Sequence, residues 1–386
     1  MKKEKGYCLL LFVILSLKII VMKMLRFYGI IVLLLFSFTV VSQSYSPSGR
    51  YFMEASSLTM VGKMLPTVNP YHRLTEGRYE GFTATELRRL GFPAGLAVAF
   101  KTNTRNIYIY TDYADASLDP IDAGPISYRG YDLYIRQDGQ WRFAASKAVS
   151  TKGLKDTMLL LRAASGQEME CLLYLPLNSE LNSVQIGVDA SSFIVPLEQP
   201  FRHRIGVHGS SYTHGASTVR AGMSYPSQLE RMTGLQMLNL GCSGRAKLQP
   251  YFAQALADAQ MDALLLDVFS NPSPQEIKER LFPFIEIIQA AHPDMPIIFQ
   301  RTIYREGRTF DTDLEAEEAA KMRMADSLMA LAVKKYKHVY YIVPNPTNKE
   351  HTTTVDGVHP DNYGYTLWAE SIRKPLLKIL KKYGIK

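Results

Sequence analysis

The sequence predicts a three-layer α/β domain on an open parallel sheet, preceded by a β-sandwich. Two changes of pattern along the chain carry this expectation. From His203 onward, short apolar runs alternate with amphipathic helical stretches. Between about Arg50 and Gln199, short β-rich runs follow one another, separated by Gly, Pro, Asn and Asp. Strand and helix in alternation require crossover connections, hence parallel strands with helices on both faces. Short strands at close spacing with turn residues between them are the pattern of two packed antiparallel sheets.

Taken in order, the chain opens with two apolar runs, 7–21 and 27–41, interrupted by Lys18, Lys23 and Arg26. Both are too short or too broken to span a bilayer comfortably. The second has the order of a secretory signal: a basic stretch at 23–26, an apolar stretch at 28–38, and small residues around Ser42 and Ser44. Residues 1–43 are therefore expected to be a signal peptide or a retained N-terminal anchor, with Met22 or Met24 as alternative starts. Export to the periplasm, cell surface or medium follows from that reading. Cys8 begins the first apolar run instead of following one, so it does not resemble a lipoprotein acylation site.

The sandwich is expected over 44–200, with strands at 96–100, 107–110, 131–135, 158–161, 170–174 and 184–188. The α/β domain is expected over 201–386, with strands at 205–207, 237–240, 263–268, 296–299 and 339–343. Helices fall between and after them at 226–233, 249–260, 274–291, 314–336 and 362–380.

Composition narrows the function. At 386 residues and 47% hydrophobic, the chain can bury two sizeable cores. The formal charge of +8 falls to +3 once the six basic and one acidic residues of the first 43 are set aside. A mature chain near neutrality gives no electrostatic case for nucleic acid, and a membrane contact is expected only through an uncleaved N-terminal segment. Beyond that segment only Cys171 and Cys242 remain, so no disulfide framework is indicated. The scattered histidines lack zinc-ligand spacing, and neither a metal nor any other cofactor is expected.

In an open parallel sheet, ligands bind beyond the carboxyl ends of the strands. The residues of chemical interest fall there. Gly209-Ser210-Ser211 follows the first strand, Gly241-Cys242-Ser243-Gly244 the second and Ser270-Asn271-Pro272 the third, while Asp356-Gly357-Val358-His359 follows the last. Asp-Gly favours a tight turn that sets the Asp356 carboxylate beside the His359 ring, leaving Nε2 to accept a proton from a serine hydroxyl. An elbow of the form Gly-x-Ser-x-Gly is disfavoured, because Thr213 stands at its second glycine.

Gly209 to Gly215, Asn239 to Gly244, Asp267 to Asn271 and Asp356-x-x-His359 resemble, in order and approximate spacing, the four blocks of the SGNH (GDSL-like) hydrolases. Gly130-Tyr131-Asp132-Leu133-Tyr134 likewise resembles the GxDLY motif of the β-rich domain that precedes the hydrolase in two-domain bacterial members. The resemblance implies a flavodoxin-like sheet and a cofactor-free serine hydrolase. Ser211 would be the nucleophile, His359 the base and Asp356 its partner, with the Ser211 N–H, Gly244 and Asn271 forming the oxyanion hole. Two departures stand out: Ser210 occupies a position often held by Asp, and Ser270-Asn271-Pro272 replaces the usual Gly-x-Asn-Asp.

Other residues near the candidate serine carry weaker expectations. Adjacent side chains in a strand point to opposite faces, so His208 is read as packing or rim rather than base. His214 and Tyr212 are candidates for lining the substrate pocket. Tyr131, Tyr134 and Trp141 are either sandwich core or a sugar-stacking platform. The expected activity is that of an exported serine esterase acting on an acyl ester, acetyl above all, of a small molecule or glycan. A lipase or thioesterase, or a non-catalytic carbohydrate-binding surface protein, are the alternatives.

Overall fold

The computed structural model describes residues 44–46, 49–115, 124–148 and 153–386. The expected signal or anchor at 1–43 lies outside these residues. Among the described residues, no helix is long and apolar enough to cross a membrane. Tyr45–Lys386 is one compact unit.

Its N-terminal part contains eleven described strands: β1 Ser44–Ser46, β2 Arg50–Glu54, β3 Thr59–Val61, β4 Ala97–Thr102, β5 Ile107–Tyr113, β6 Tyr131–Gln137, β7 Gln140–Lys147, β8 Lys155–Leu161, β9 Met169–Tyr174, β10 Leu181–Asp189 and β11 Ile194–Pro196. Helix α1 (Ala84–Gly91) lies between β3 and β4, and α2 (Pro125–Arg129) between β5 and β6. One sheet has the order β1-β2-β10-β5-β8 and the other β11-β4-β9-β6-β7, with β3 also on β4. Ile107, Ile109, Val184 and Ile186 of the first sheet meet Val98, Phe100, Leu133 and Leu173 of the second in a common core. Tyr131 is wholly buried there, and Tyr134 nearly so in a second cluster with Ala97, Leu172 and Tyr174, which makes them core residues instead of a stacking platform. Trp141 is half-buried against Phe201.

The C-terminal part is built on β12 Arg202–Gly209, β13 Leu235–Gly241, β14 Ala263–Asp267, β15 Ile297–Gln300 and β16 Val339–Ile342, all in parallel pairs. A one-turn helix, α3 (Ser211–His214), follows β12, then α4 (Tyr225–Thr233), α5 (Pro250–Ala257), α6 (Pro274–Ala291), α7 (Thr312–Lys335) and α8 (Asn362–Leu380). The order β13-β12-β14-β15-β16 is the flavodoxin-like 2-1-3-4-5 arrangement, with its switch point between β12 and β14.

Alternation along the central strands divides the burial between two layers. Leu238, Leu240, Leu264, Leu266, Ile297 and Phe299 face one core, which α5, α6 and α7 cover. Met237, Ala263, Leu265 and Ile298 face the other, under α4 and α8. Strands buried on both faces are near-continuous apolar runs, which is why the sequence marks them clearly. The first of these cores also takes in Met64, Leu65, Leu74 and Leu90 from the β-rich part. The two parts therefore share packed side chains across the position at which the sequence pattern changes.

Candidate active site

The end of β12 turns abruptly. Gly209 allows the turn, because a Cβ there would stand 2.4 Å from Thr213 Oγ1 and 2.5 Å from the Asp267 carbonyl. Ser210 caps α3 by accepting from the Tyr212 N–H, and Ser211 is the first residue of that single turn. Gly215 closes it with φ +103°.

At the same end of the sheet the chain before α8 folds back on itself, with Thr354 bridged to Pro360 and the Val355 N–H bonded to the His359 carbonyl at 2.9 Å. Gly357, at φ +81°, makes the bend. Asp356 Oδ1 accepts from the N–H groups of Val358 (2.9 Å) and His359 (2.7 Å), which fixes the carboxylate. Its Oδ2 is then 2.8 Å from His359 Nδ1, and His359 Nε2 is 3.0 Å from Ser211 Oγ. Burial would raise the Asp356 carboxyl. The His359 ring and the two backbone donors outweigh it and hold the group well below the usual carboxylate range. An anion at Oδ2 keeps the Nδ1 proton of a neutral imidazole in place, so Nε2 presents a lone pair to the serine hydroxyl. This is the geometry required to activate a serine.

Beneath the serine lies a carboxylate that the sequence places in the third block but to which it assigns no role. Asp267, the last residue of β14, is fully buried at the switch point. Its Oδ2 accepts from Ser210 Oγ at 2.7 Å, Ser210 N at 3.3 Å and Thr213 Oγ1 at 3.3 Å, and its Oδ1 accepts from Ser270 Oγ at 3.2 Å. Burial pushes the carboxyl up to about 6 despite those donors. Ser210, at the position where the resemblance often has Asp, thus donates to a carboxylate of the neighbouring strand. A signal was present, in an apolar strand ending in Asp.

Gly244 lies in the exposed turn after β13 at φ +70°, and a Cβ would meet nothing within 4 Å. It is the backbone conformation, more than crowding, that favours glycine there. Asn271 is half-buried, with its Oδ1 buried and without a hydrogen-bond partner in the protein.

The sequence profile of the GDSL-like lipase/acylhydrolase family matches residues 202–377, and that of the GxDLY N-terminal domain of SGNH hydrolase-type esterases matches 50–194. A GDSL-like lipase structure from Bacteroides ovatus ATCC 8483 is 34% identical, with a TM-score of 0.82 over 86% of this chain and 98% of its own. The chain belongs to the GDSL-like lipase/acylhydrolase family. It is accordingly a carboxylic ester hydrolase of SGNH type. The fold is shared more distantly by the salicylyl-acyltransferase SsfX3 of a tetracycline biosynthetic pathway (18% identity, TM-score 0.68, 88% of this chain and 100% of that one). It is also shared by a family two carbohydrate esterase from Cellvibrio japonicus (12% identity, TM-score 0.58, 86% and 98%). No functionally curated protein matches the chain.

In this SGNH hydrolase the two histidines flanking Ser211 in sequence have distinct environments. His208 is wholly buried, with Nδ1 2.9 Å from the Leu240 carbonyl and its ring 4.5 Å from that of Phe252; burial pushes it down to about 4. His214 does not line a pocket entrance as expected. It is fully buried, and Arg73 Nη2 donates to its Nδ1 at 3.3 Å, so the neutral ring carries its proton on Nε2 and donates to the Leu177 carbonyl at 2.9 Å. Burial, reinforced by Arg73 and Arg89, pushes it down to about 3. Tyr212 is also fully buried, donating to the Val358 carbonyl at 3.2 Å with its ring edge-on to His359, so it supports the histidine loop and presents no surface to substrate.

The β-rich part reaches this site twice. Arg73 donates to the carbonyls of Phe92 (2.7 Å), Arg89 (2.6 Å) and Gly241 (2.7 Å), tying the β-rich part to the end of β13. Asp132 of the GxDLY motif, fully buried, accepts from Arg220 Nη1 and the Gly222 N–H, each at 2.8 Å, and so holds the loop between α3 and α4. The motif's Gly130 is obligatory because a Cβ would lie 2.0 Å from the Ile126 carbonyl oxygen.

Proposed function

We propose that the protein is an exported serine esterase that removes acyl groups, acetyl above all, from carbohydrate, with Ser211, His359 and Asp356 as its catalytic triad. The observation that carries the reading is the hydrogen-bonded chain Ser211 Oγ to His359 Nε2 at 3.0 Å and His359 Nδ1 to Asp356 at 2.8 Å. Ser211 Oγ attacks the ester carbonyl carbon while His359 takes its proton and returns it to the departing sugar oxygen. Water then attacks the acyl-serine, with His359 again as base, and releases the carboxylic acid. The Ser211 N–H, the Gly244 N–H and the Asn271 side-chain amide receive the negative charge on the former carbonyl oxygen. Export rests on the basic, apolar and small-residue order of 23–44. A carbohydrate substrate is supported by the fold shared with family two carbohydrate esterases, one solved with cellohexaose.

The test compares the purified protein with Ser211→Ala and His359→Ala on p-nitrophenyl acetate, then on acetylated xylan and on long-chain esters. Each variant is expected to lose about a million-fold in turnover, and acetate is expected to be released from the polysaccharide. Equal rates in all three proteins refute the triad. Turnover confined to long-chain esters refutes the carbohydrate assignment.

A further inference from the structure

Between β15 and α7 the chain makes a short excursion, 301–311, that none of the four family blocks includes. Three consecutive residues in it each grip a different part of the candidate site. Arg305 Nε donates to Tyr212 Oη at 2.9 Å, next to the nucleophile, and its Nη2 donates to the Ser270 carbonyl at 3.2 Å, next to Asn271. Glu306, only 5% exposed, accepts from the Thr353 N–H at 3.2 Å and Thr353 Oγ1 at 2.5 Å, and its other oxygen accepts from Thr354 Oγ1. The Gly307 N–H donates to the carbonyl of Gly357 at 2.9 Å, inside the Asp356–His359 turn.

The excursion is itself anchored. Arg305 Nη1 and Lys321 Nζ both reach Glu318 Oε1 at 2.6 Å, and Lys321 also donates to the Ser270 carbonyl at 3.2 Å; Glu318 and Lys321 are buried. On the outer side, Tyr304 bonds to Thr309 at 2.9 Å, and Thr309 approaches His351 Nδ1 at 3.4 Å. Ser211 and His359 come from opposite ends of the domain sequence, and besides the 3.0 Å bond between them the Tyr212 side chain joins the two loops at Val358 and His359. Arg305 to Gly307 is one short segment bound to both.

We infer that Arg305-Glu306-Gly307 is the positioning element of the active site, and that Glu306 is the positioning residue that sets the His359 loop in register with Ser211. The inference rests on the triad reading above. Glu306 touches no reacting atom and acts through Thr353 and Thr354, three and two residues before Asp356. Displacement of a catalytic group by about an ångström is enough to cost on the order of a hundredfold in rate.

The experiment uses the full-length mature protein and measures kcat and KM on p-nitrophenyl acetate, the rate of labelling by a fluorophosphonate, and thermal melting. Glu306→Ala is expected to lower kcat and the labelling rate together by about ten- to a hundredfold with KM within about threefold. Glu306→Gln, whose amide oxygen still accepts from Thr353 and whose nitrogen can donate to Thr354, is expected to restore most of the rate. Thr354→Val removes one of the hydroxyl donors and is expected to give an intermediate loss, which keeps the test open if Glu306→Ala does not fold. A folded Glu306→Ala with kcat within twofold of the parent overturns the inference, as does a rise in KM alone or a Gln variant no better than Ala. Ser211→Ala runs beside them: full activity there overturns the triad reading, whereas an inactive Ser211→Ala with an unimpaired Glu306→Ala overturns the positioning role alone.

Discussion

Replacing Asp356 by Asn changes one oxygen to a nitrogen and tests the hydrogen-bond chain directly. In the parent, Oδ1 accepts two backbone N–H groups at 2.9 and 2.7 Å while Oδ2 receives the His359 Nδ1 proton at 2.8 Å. The amide oxygen of Asn can take only one of these places. If it stays on the two backbone donors, its NH2 faces Nδ1, the ring proton moves to Nε2, and Nε2 no longer accepts from Ser211. That tautomer error costs about ten-thousandfold in serine hydrolases built the same way. If the amide flips, Nδ1 keeps its proton, but the NH2 then opposes two N–H donors. Losing those two bonds costs about 3 kcal/mol, so on the order of one molecule in a hundred is in the active arrangement. The expected fall in kcat/KM therefore lies between about a hundred- and ten-thousandfold. Steady-state hydrolysis of p-nitrophenyl acetate measures it, with circular dichroism to show that the fold is kept. A variant within tenfold of the parent refutes the proton path through His359.

Two further substitutions test the buried network. Asp267→Asn probes a carboxyl raised to about 6. A raised acid favours the protonated native state, so its contribution is fully present below the unfolded value of about 4 and is lost as pH rises through about 6. The parent is expected to lose about 3 kcal/mol across that window relative to the Asn variant. Because His208 and His214, pushed down to about 4 and 3, act in the opposite sense, the quantity to measure is the difference between parent and variant in urea unfolding from pH 4 to 7. A flat difference refutes the assignment. Arg73→Met should destabilise by about 3 kcal/mol, because the carbonyls of Phe92, Arg89 and Gly241 lose a buried donor. A loss below about 1 kcal/mol in the same unfolding assay shows that water replaces it.

The parallel strands and their helices were legible because both faces of each central strand are buried, so apolar runs alternate cleanly with amphipathic stretches. β7 was not, since as the last strand of its sheet it carries Gln140, Arg142 and an exposed Phe143 without a regular alternation. Helix α1 also escaped, although Thr83-Ala84-Thr85-Glu86 is a capping-box signature that the structure realises with both bonds. Ser211, Asp356 and His359 were readable because turn chemistry places each at a loop end. Arg73 and Glu306 were not, nor was the role of Asp267, because each acts on a partner that only the folded chain brings near. Tyr212 and His214 were expected beside the substrate and proved buried, since four residues of helix give no periodicity from which to tell its inner side from its outer.

Met64, Leu65, Leu74 and Leu90 belong by sequence to the first half and by packing to the second. A ribosome releases them long before the sheet they complete exists, so the hydrolase half finishes its own interior with material made earlier. Recombination that cuts near Pro200 would leave this interior missing four side chains. Exchange of the β-rich half between relatives must therefore bring along matching partners in that core, which binds the two halves into a single unit of inheritance.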